Sequence, residues 1–320
     1  MKNKSAAIIL LTGISITSAT HAVEKPTDYH PLVSSINQIL IESYVFPEIG
    51  PKYAARLDRC LKENCLAETT GDEQVAKKLS ELLNSVHKDK HLNVFAPGQR
   101  EKMTRRKMVK KSPGDANKNN ASGIVKQEIL EGNIGYLEIN LFPGSPESIA
   151  ATHEAMKKLK NTDAVIFDIR RHRGGSPENI SEISNFLFQQ PTHMVTTRSP
   201  YVNDGQPTPH MSEPNEFAKY FKDKPVYLLT SEKSGSAAEH FAMSMKATGR
   251  AILIGEKTGG YGHWGGIAQL DEGFSMFVPS GRTYHPVNKL GWEGIGITPD
   301  ILIDGEKSLD SALERIRAHQ

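Results

Sequence analysis

Four short stretches of the chain combine residue types that hydrolytic chemistry uses. The first runs from Val226 to Glu239, where an apolar strand breaks into small residues and a helix starts at or just after Ser236. A serine there sits on a tight bend, with its hydroxyl at the positive end of the helix. The N–H of Ala237, in the first helical turn, has no partner inside the helix and is free to face an oxyanion. An ordinary helix cap is the alternative use of such a serine. The second stretch is Asp168-Ile169-Arg170-Arg171-His172-Arg173-Gly174-Gly175, at the end of a short apolar strand. A glycine pair in that place lets the backbone turn sharply and present amides to a ligand. The third runs from Trp292 to Asp300, glycine-punctuated and stiff, and carries Glu293. The fourth is Asp89-Lys90-His91, just before a short apolar segment.

Ser-Ala-Ala-Glu at 236–239 follows the Asp-x-Arg-x-x-x-Gly-Gly turn, and Gly255-Glu256-Lys257-Thr258-Gly259-Gly260 and the Glu-Gly-x-Gly-x-x-Pro-Asp stretch from Glu293 come after it. In this order the motifs resemble the tail-specific, C-terminal-processing serine peptidase family. Its members include the tricorn core peptidase and the retinoid-binding proteins of the photoreceptor matrix. The resemblance covers most of residues 28 to 310. It implies an α/β core of the ClpP/crotonase-like kind, preceded by a small helical domain, and a nucleophile at Ser236. One branch of the family takes its base from a lysine after the Gly-Glu-x-Thr segment. Tyr261 stands there, and a phenol cannot serve as that base near neutral pH. The tricorn and interphotoreceptor-retinoid-binding-protein-like branch uses a histidine of the preceding domain and a glutamate of the later motif. Those positions fall on His91 and Glu293.

The resemblance thus implies His91 as base for Ser236 and Glu293 as the group that orients the imidazole. Ala237 and one amide of the Gly174–Gly175 turn would form the oxyanion hole. Histidine suits the role because its ordinary pKa lies near 6.5 and a serine hydroxyl is inert until a base takes its proton. The implied activity is that of an exported serine endopeptidase acting on extended or unfolded polypeptide through an acyl-enzyme. A non-catalytic carrier of retinoid- or lipid-like ligands on the same fold is the alternative. Two departures stand out. The family's turn has Asn where this chain has His172, and only residues 97–123 occupy the place of a peptide-binding PDZ module.

The elements that must hold these residues follow from hydrophobic spacing. Leu32, Ile36, Ile39 and Leu40 recur at helical intervals, as do Tyr53, Leu57 and Leu61, then Val75, Leu79, Leu82 and Val86. A three-helix domain is expected over 23–96. Within residues 97–123, positions 100–111 set seven Lys and Arg against Glu101 alone, and Ser112-Pro113-Gly114 and an Asn-rich run follow, which reads as an exposed basic linker. From 124 to 320 strands alternate with helices, the signature of helices packed on a sheet. Strands are expected at Ile134–Leu141, Ala164–Ile169, Val226–Thr230 and Ala251–Ile254, with helices near 145–160, 178–188 and 236–248. His91 precedes Ser236 by 145 residues, so the site would lie at the seam between the two domains.

Lys2 and Lys4, the apolar run from Ala6 to Ile16 and the small residues before Val23 make residues 1–22 a secretory signal, with cleavage after Ala22. The run is too short to span about 30 Å of hydrocarbon, so no stable membrane insertion is expected. In an oxidising compartment Cys60 and Cys65, five apart, are expected to join, two buried thiols being the alternative. The 320-residue chain has 39 Lys and Arg; without Lys2 and Lys4 these become 37, against 37 acidic residues, which gives no reason to expect a nucleic-acid partner. His87 and His91 have the spacing of zinc ligands, but Lys88 stands where the helical zinc motif needs Glu. The Gly255 segment lacks the earlier glycine of a phosphate loop. No metal or cofactor is expected, and polypeptide is the expected partner.

Overall fold

The computed structural model describes residues 28–103 and 121–318. The expected signal segment lies outside these, as does the basic stretch from 104 to 120. Helices α1 (His30–Ser43), α2 (Gly50–Lys62) and α3 (Asp72–Val86) form on the three apolar stripes read from the sequence. Each turns its stripe inward: Leu32, Ile36 and Leu40 from α1, Tyr53 and Leu57 from α2, and Val75, Leu79 and Leu83 from α3 are fully buried. The end of α2 is tied down by the Cys60–Cys65 disulfide, whose Cα atoms lie 5.0 Å apart.

The larger sheet holds β2 (Ile124–Leu130), β3 (Ile134–Ile139), β4 (Ala164–Asp168), β7 (Val226–Thr230), β8 (Ile252–Gly255) and β11 (Ile301–Leu302), in the order β11-β8-β7-β4-β3-β2. All its pairings are parallel except β2 with β3. Every residue of β4 and β7 is buried, as a central strand covered on both faces requires. Alternation sorts the side chains between two cores. Val165, Phe167 and Leu228 join Met156, Phe186 and Phe241 of helices α4 (Pro146–Lys158), α5 (Pro177–Leu187) and α6 (Ala237–Ala247). Ala164, Ile166, Tyr227 and Leu229 face Ala312 and Ile316 of α7 (Ser308–Arg317) instead.

A second, antiparallel sheet is built around β10 (Ser275–Tyr284). On one edge β10 pairs with β9 (His263–Gln269); on the other it meets β1 (Asn93–Phe95) and then β5 (His193–Arg198), which carries β6 (Thr208–Met211). Leu270, Phe274, Met276 and Val278 of the β9–β10 hairpin pack into the core of α1–α3. Packing therefore crosses from the N-terminal helices to residues nearly 200 positions later, and the β1–β10 pairing fixes the Asp89–His91 turn against β9.

Candidate active site at the lobe seam

Ser236 lies between β7 and the first turn of α6, with φ 58° and ψ −119°. That conformation is sterically costly for any residue with a Cβ, by about 1–3 kcal/mol, and persists only where surrounding contacts impose it. The contacts are present. Ser231 Oγ donates to the Arg170 carbonyl (2.5 Å), Ser234 Oγ to the Ile169 carbonyl (2.8 Å) and Gly235 N–H to the His172 carbonyl (3.0 Å). Three bonds thus staple the serine loop to the turn after β4. Behind it, the fully buried Glu239 carboxylate accepts from the backbone N–H groups of Ser236 (3.0 Å), Gly260 (2.7 Å) and Tyr261 (2.6 Å), and from Thr258 Oγ1 (2.6 Å). Burial pushes its pKa up, against these four donors. Glu239 is the strut that sets the distance between the serine and the 258–261 loop.

The Gly174–Gly175 turn closes on the serine from the other side. A Cβ on Gly174 would lie 2.7 Å from Ser236 Cβ, and one on Gly175 would overlap the Phe142 carbonyl. With φ of 108° and 121°, both positions demand glycine. The two amides are not equivalent. Gly174 N–H donates to His172 Nδ1 at 3.1 Å, whereas Gly175 N–H and Ala237 N–H have no acceptor among the described residues. His172 is fully buried against Phe142, and burial drives its pKa down to about 3. It is therefore a neutral ring whose Nδ1 lone pair is free to accept. Upstream, Asp168 takes Arg170 through several N–H groups and Tyr136 Oη at 2.7 Å, anchoring the start of the turn.

His91 and Glu293 meet on the far side of the 258–261 loop. A donor atom on each of Asp89, His91 and Glu293 lies within 4.8 Å of the other two. Their carboxylate oxygens are already engaged: Glu293 accepts from the N–H groups of Lys90, Gly262 and His263, and Asp89 from His91 N–H, Tyr44 Oη and His263 Nδ1. This suits hydrogen bonding better than holding a metal ion. Burial, then the Asp89 charge, pushes the Glu293 pKa up. His91 is stacked on Phe277 (ring centroids 5.0 Å apart) and edge-on to Tyr261 (5.1 Å), and its Nδ1 is buried with no partner among the described residues. Burial lowers its pKa to about 4.

Ser236 opens on a cavity of about 660 Å³ whose walls include Phe142, His240, Tyr261, His263 and Trp264. His91 does not line it, and no hydrogen bond joins His91 to Ser236. Tyr261 touches both sides: a Cβ on Gly235 would come within 3.1 Å of its ring, and the ring also lies edge-on to His91. The geometry thus brings Ser236, Ala237, Gly174 and Gly175 together, and His91 with Glu293, and leaves one aromatic side chain against both groups. His263 escaped the sequence reading. It lines the serine cavity, and its Nδ1 lies 2.8 Å from the buried Asp89 carboxylate. Its signal was the lone histidine after the Thr258–Gly260 motif, which is legible only once Asp89 is known to face it.

The model for peptidase family S41 matches residues 133–303, over half of the chain and every element that carries the serine loop and the glycine turn. The chain belongs to peptidase family S41. Residues 16–132 match the N-terminal domain of S41 proteins in eukaryotic IRBP, the segment that carries His91. A carboxyl-terminal-processing protease of Picosynechococcus sp. is 28% identical over 182 residues, 54% of this chain and 40% of that protein. The chloroplastic carboxyl-terminal-processing peptidase 2 of Arabidopsis thaliana is 28% identical over 52% of this chain and 31% of its own length. The S41 chain thus matches less than half the length of these curated relatives. Among solved structures, the photosystem II D1 C-terminal processing protease superposes with a TM-score of 0.58 at 15% identity, covering 88% of this chain and 94% of that one. A lipoprotein from Streptococcus agalactiae gives 0.61 at 15% identity, over 96% and 100%. At such identities these two establish the S41 chain's mixed α/β fold alone.

Proposed function

We propose that this S41 chain is an exported serine endopeptidase that cuts extended or unfolded polypeptide through an acyl-enzyme at Ser236, with His91 as base and Glu293 as its orienting partner. The observation that carries the reading is the strained Ser236 backbone at the head of α6, flanked by two unengaged N–H groups, of Gly175 and Ala237. A helix cap alone has no need of that strain. In the reaction, Tyr261 moves off its contact with His91 so that the imidazole reaches the serine hydroxyl. His91 takes the hydroxyl proton as Oγ bonds to the peptide carbonyl carbon, and the carbonyl oxygen gathers negative charge between Gly175 N–H and Ala237 N–H. Each such donor is typically worth about 3 kcal/mol of barrier. The C–N bond then breaks, the proton passes from His91 to the leaving amine, and water attacks the ester with His91 again as base. Glu293, within 4.8 Å of His91, steadies the imidazolium directly or through one water.

Export is supported by the Lys2-to-Ala22 pattern and by the Cys60–Cys65 disulfide. Among the described residues no helix is long and apolar enough to cross a membrane. N-terminal sequencing of the protein recovered from cell fractions tests the cleavage point. The catalytic reading is tested by labelling with a fluorophosphonate probe and by turnover of an unstructured polypeptide. Ser236→Ala should abolish both; equal turnover by variant and wild type refutes it. One observation favours the carrier reading: the cavity is walled largely by aromatic and aliphatic side chains, and Tyr261 keeps His91 from lining it. A carrier would bind lipid-like ligands tightly and remain unlabelled by the probe.

A further inference from the structure

Beside the serine cavity, across His263, lies a second hollow of about 290 Å³, lined by Phe46, Lys88, Arg282 and Glu293 among others. Gly262, His263, Thr283 and Trp292 line both spaces, so the two share a wall. Its charges are unusual. Arg282 is half-buried, its guanidinium against the rings of Tyr284 (5.3 Å to the centroid) and Phe46 (5.9 Å), and no acceptor among the described residues takes any of its N–H groups. Lys88 is also without a partner among them. The one acid in the lining, Glu293, has its oxygens filled by three backbone N–H groups and forms no ion pair with Arg282. The strand register adds to the imbalance, setting Arg282 directly opposite Arg198 on β5. Like charges placed opposite each other in a sheet repel and are destabilising unless something answers them. Arg198 donates its Nε to the Gly205 carbonyl and forms no ion pair among the described residues.

We propose that this annex binds a carboxylate of the substrate, gripped by the Arg282 fork with Lys88 beside it, a few residues from the bond that is cut. A planar guanidinium with five donors matches a carboxylate in bidentate fashion, and the aromatic rings beneath hold the fork in place. A peptide extended along the shared wall advances about 3.3 Å per residue, so it reaches the annex within a short segment. The word substrate rests on the peptidase reading; the carboxylate site does not.

The carboxylate has two sources, an Asp or Glu side chain or the chain terminus, and three fluorescent peptides separate them. One carries an internal Glu and an amidated terminus, one is neutral with a free terminus, and one is neutral and amidated. Binding to full-length Ser236→Ala is read by anisotropy, so it does not depend on turnover. At least one charged peptide should bind about tenfold more tightly than the neutral amidated one, in keeping with a charge-assisted pair. Arg282→Gln should remove most of that difference and leave the neutral peptide unaffected, while Arg282→Lys keeps part of it. Should Arg282→Gln fail to fold, the exposed Lys88→Gln should still reduce the difference severalfold. Equal affinity for all three peptides, or an equal loss across all three in Arg282→Gln, overturns the proposal. Failure of the peptidase reading would appear elsewhere, as wild-type protein that neither takes the probe nor cuts the neutral peptide.

Discussion

At the scale of single residues, the site is decided by which lone pairs and N–H groups are already spoken for. His172 occupies the place where the family pattern has Asn, and its neutral Nδ1 accepts from Gly174 N–H, which leaves Gly175 N–H as the amide able to serve an oxyanion. His172→Asn supplies an oxygen acceptor in the same region and should keep kcat/KM within about threefold of wild type. His172→Leu, which removes the acceptor and frees the turn, should lower kcat by about a hundredfold with little change in KM, the cost of one misplaced oxyanion donor. A matched loss in both variants would show that the ring's packing against Phe142, rather than its lone pair, matters. Tyr261 makes a second, opposite prediction. Its ring touches His91 and abuts the Gly235 backbone, so Tyr261→Ala should speed fluorophosphonate labelling of Ser236 severalfold. Slower labelling in that variant would mean that the phenol assists the reaction.

At the scale of elements, one buried carboxylate ties together three of the segments that meet at the seam. Asp89 follows α3, and its two oxygens take Tyr44 Oη from just after α1, His263 Nδ1 from β9 and the N–H of His91. Burial alone would raise its pKa, but these donors hold it below the usual carboxylate range. Asp89→Ala strands a buried phenol and a buried imidazole, and should cost about 3–5 kcal/mol in urea unfolding, a loss typical of a broken buried pair. Asp89→Asn, which can still accept, should cost less in stability yet slow labelling of Ser236, because His91 N–H loses its anionic anchor. Unchanged stability in Asp89→Ala would remove Asp89 from this role. The sequence disclosed the parts of this seam unevenly. Leu32 to Val86 carries three stripes at helical spacing and Val226 to Thr230 a short apolar run, so the three helices and β7 were legible. The antiparallel sheet was not. Gly265, Gly266, Pro279 and Gly281 break the alternation of β9 and β10, where the register shifts between Pro279 and Gly281, and the three residues of β1 are too few to show a period. Motif order likewise named Ser236, His91 and Glu293, but could not show a tyrosine ring lying against both His91 and the serine loop, since that depends on a contact between chain segments 170 residues apart.

Across the whole molecule, burial lowers the pKa of four histidines: His91 at the seam, to about 4, His172 under the serine turn and His240 on α6, both to about 3, and His210 beside His240. In the unfolded chain each returns to about 6.5. Between about pH 6.5 and pH 4 the unfolded chain therefore binds protons that the folded one refuses, and stability must fall as the solution is acidified. Asp89, with its lowered pKa, acts in the same sense once the pH reaches the carboxylate range. Glu239 and Glu293 oppose it, because their raised values let the folded state take protons first. The histidines titrate at higher pH when unfolded, so they govern the upper part of the window. Each contributes up to about 1.4 kcal/mol per pH unit there. Urea unfolding between pH 6.5 and 5 should show a free energy that declines with falling pH, and His172→Asn should reduce that slope by close to one proton. A slope unaltered by the substitution would mean that His172 is already protonated in the fold, and a protonated ring could not accept from Gly174 N–H. The same titration thus tests the acid stability of the molecule and the neutral ring that accepts from Gly174 N–H.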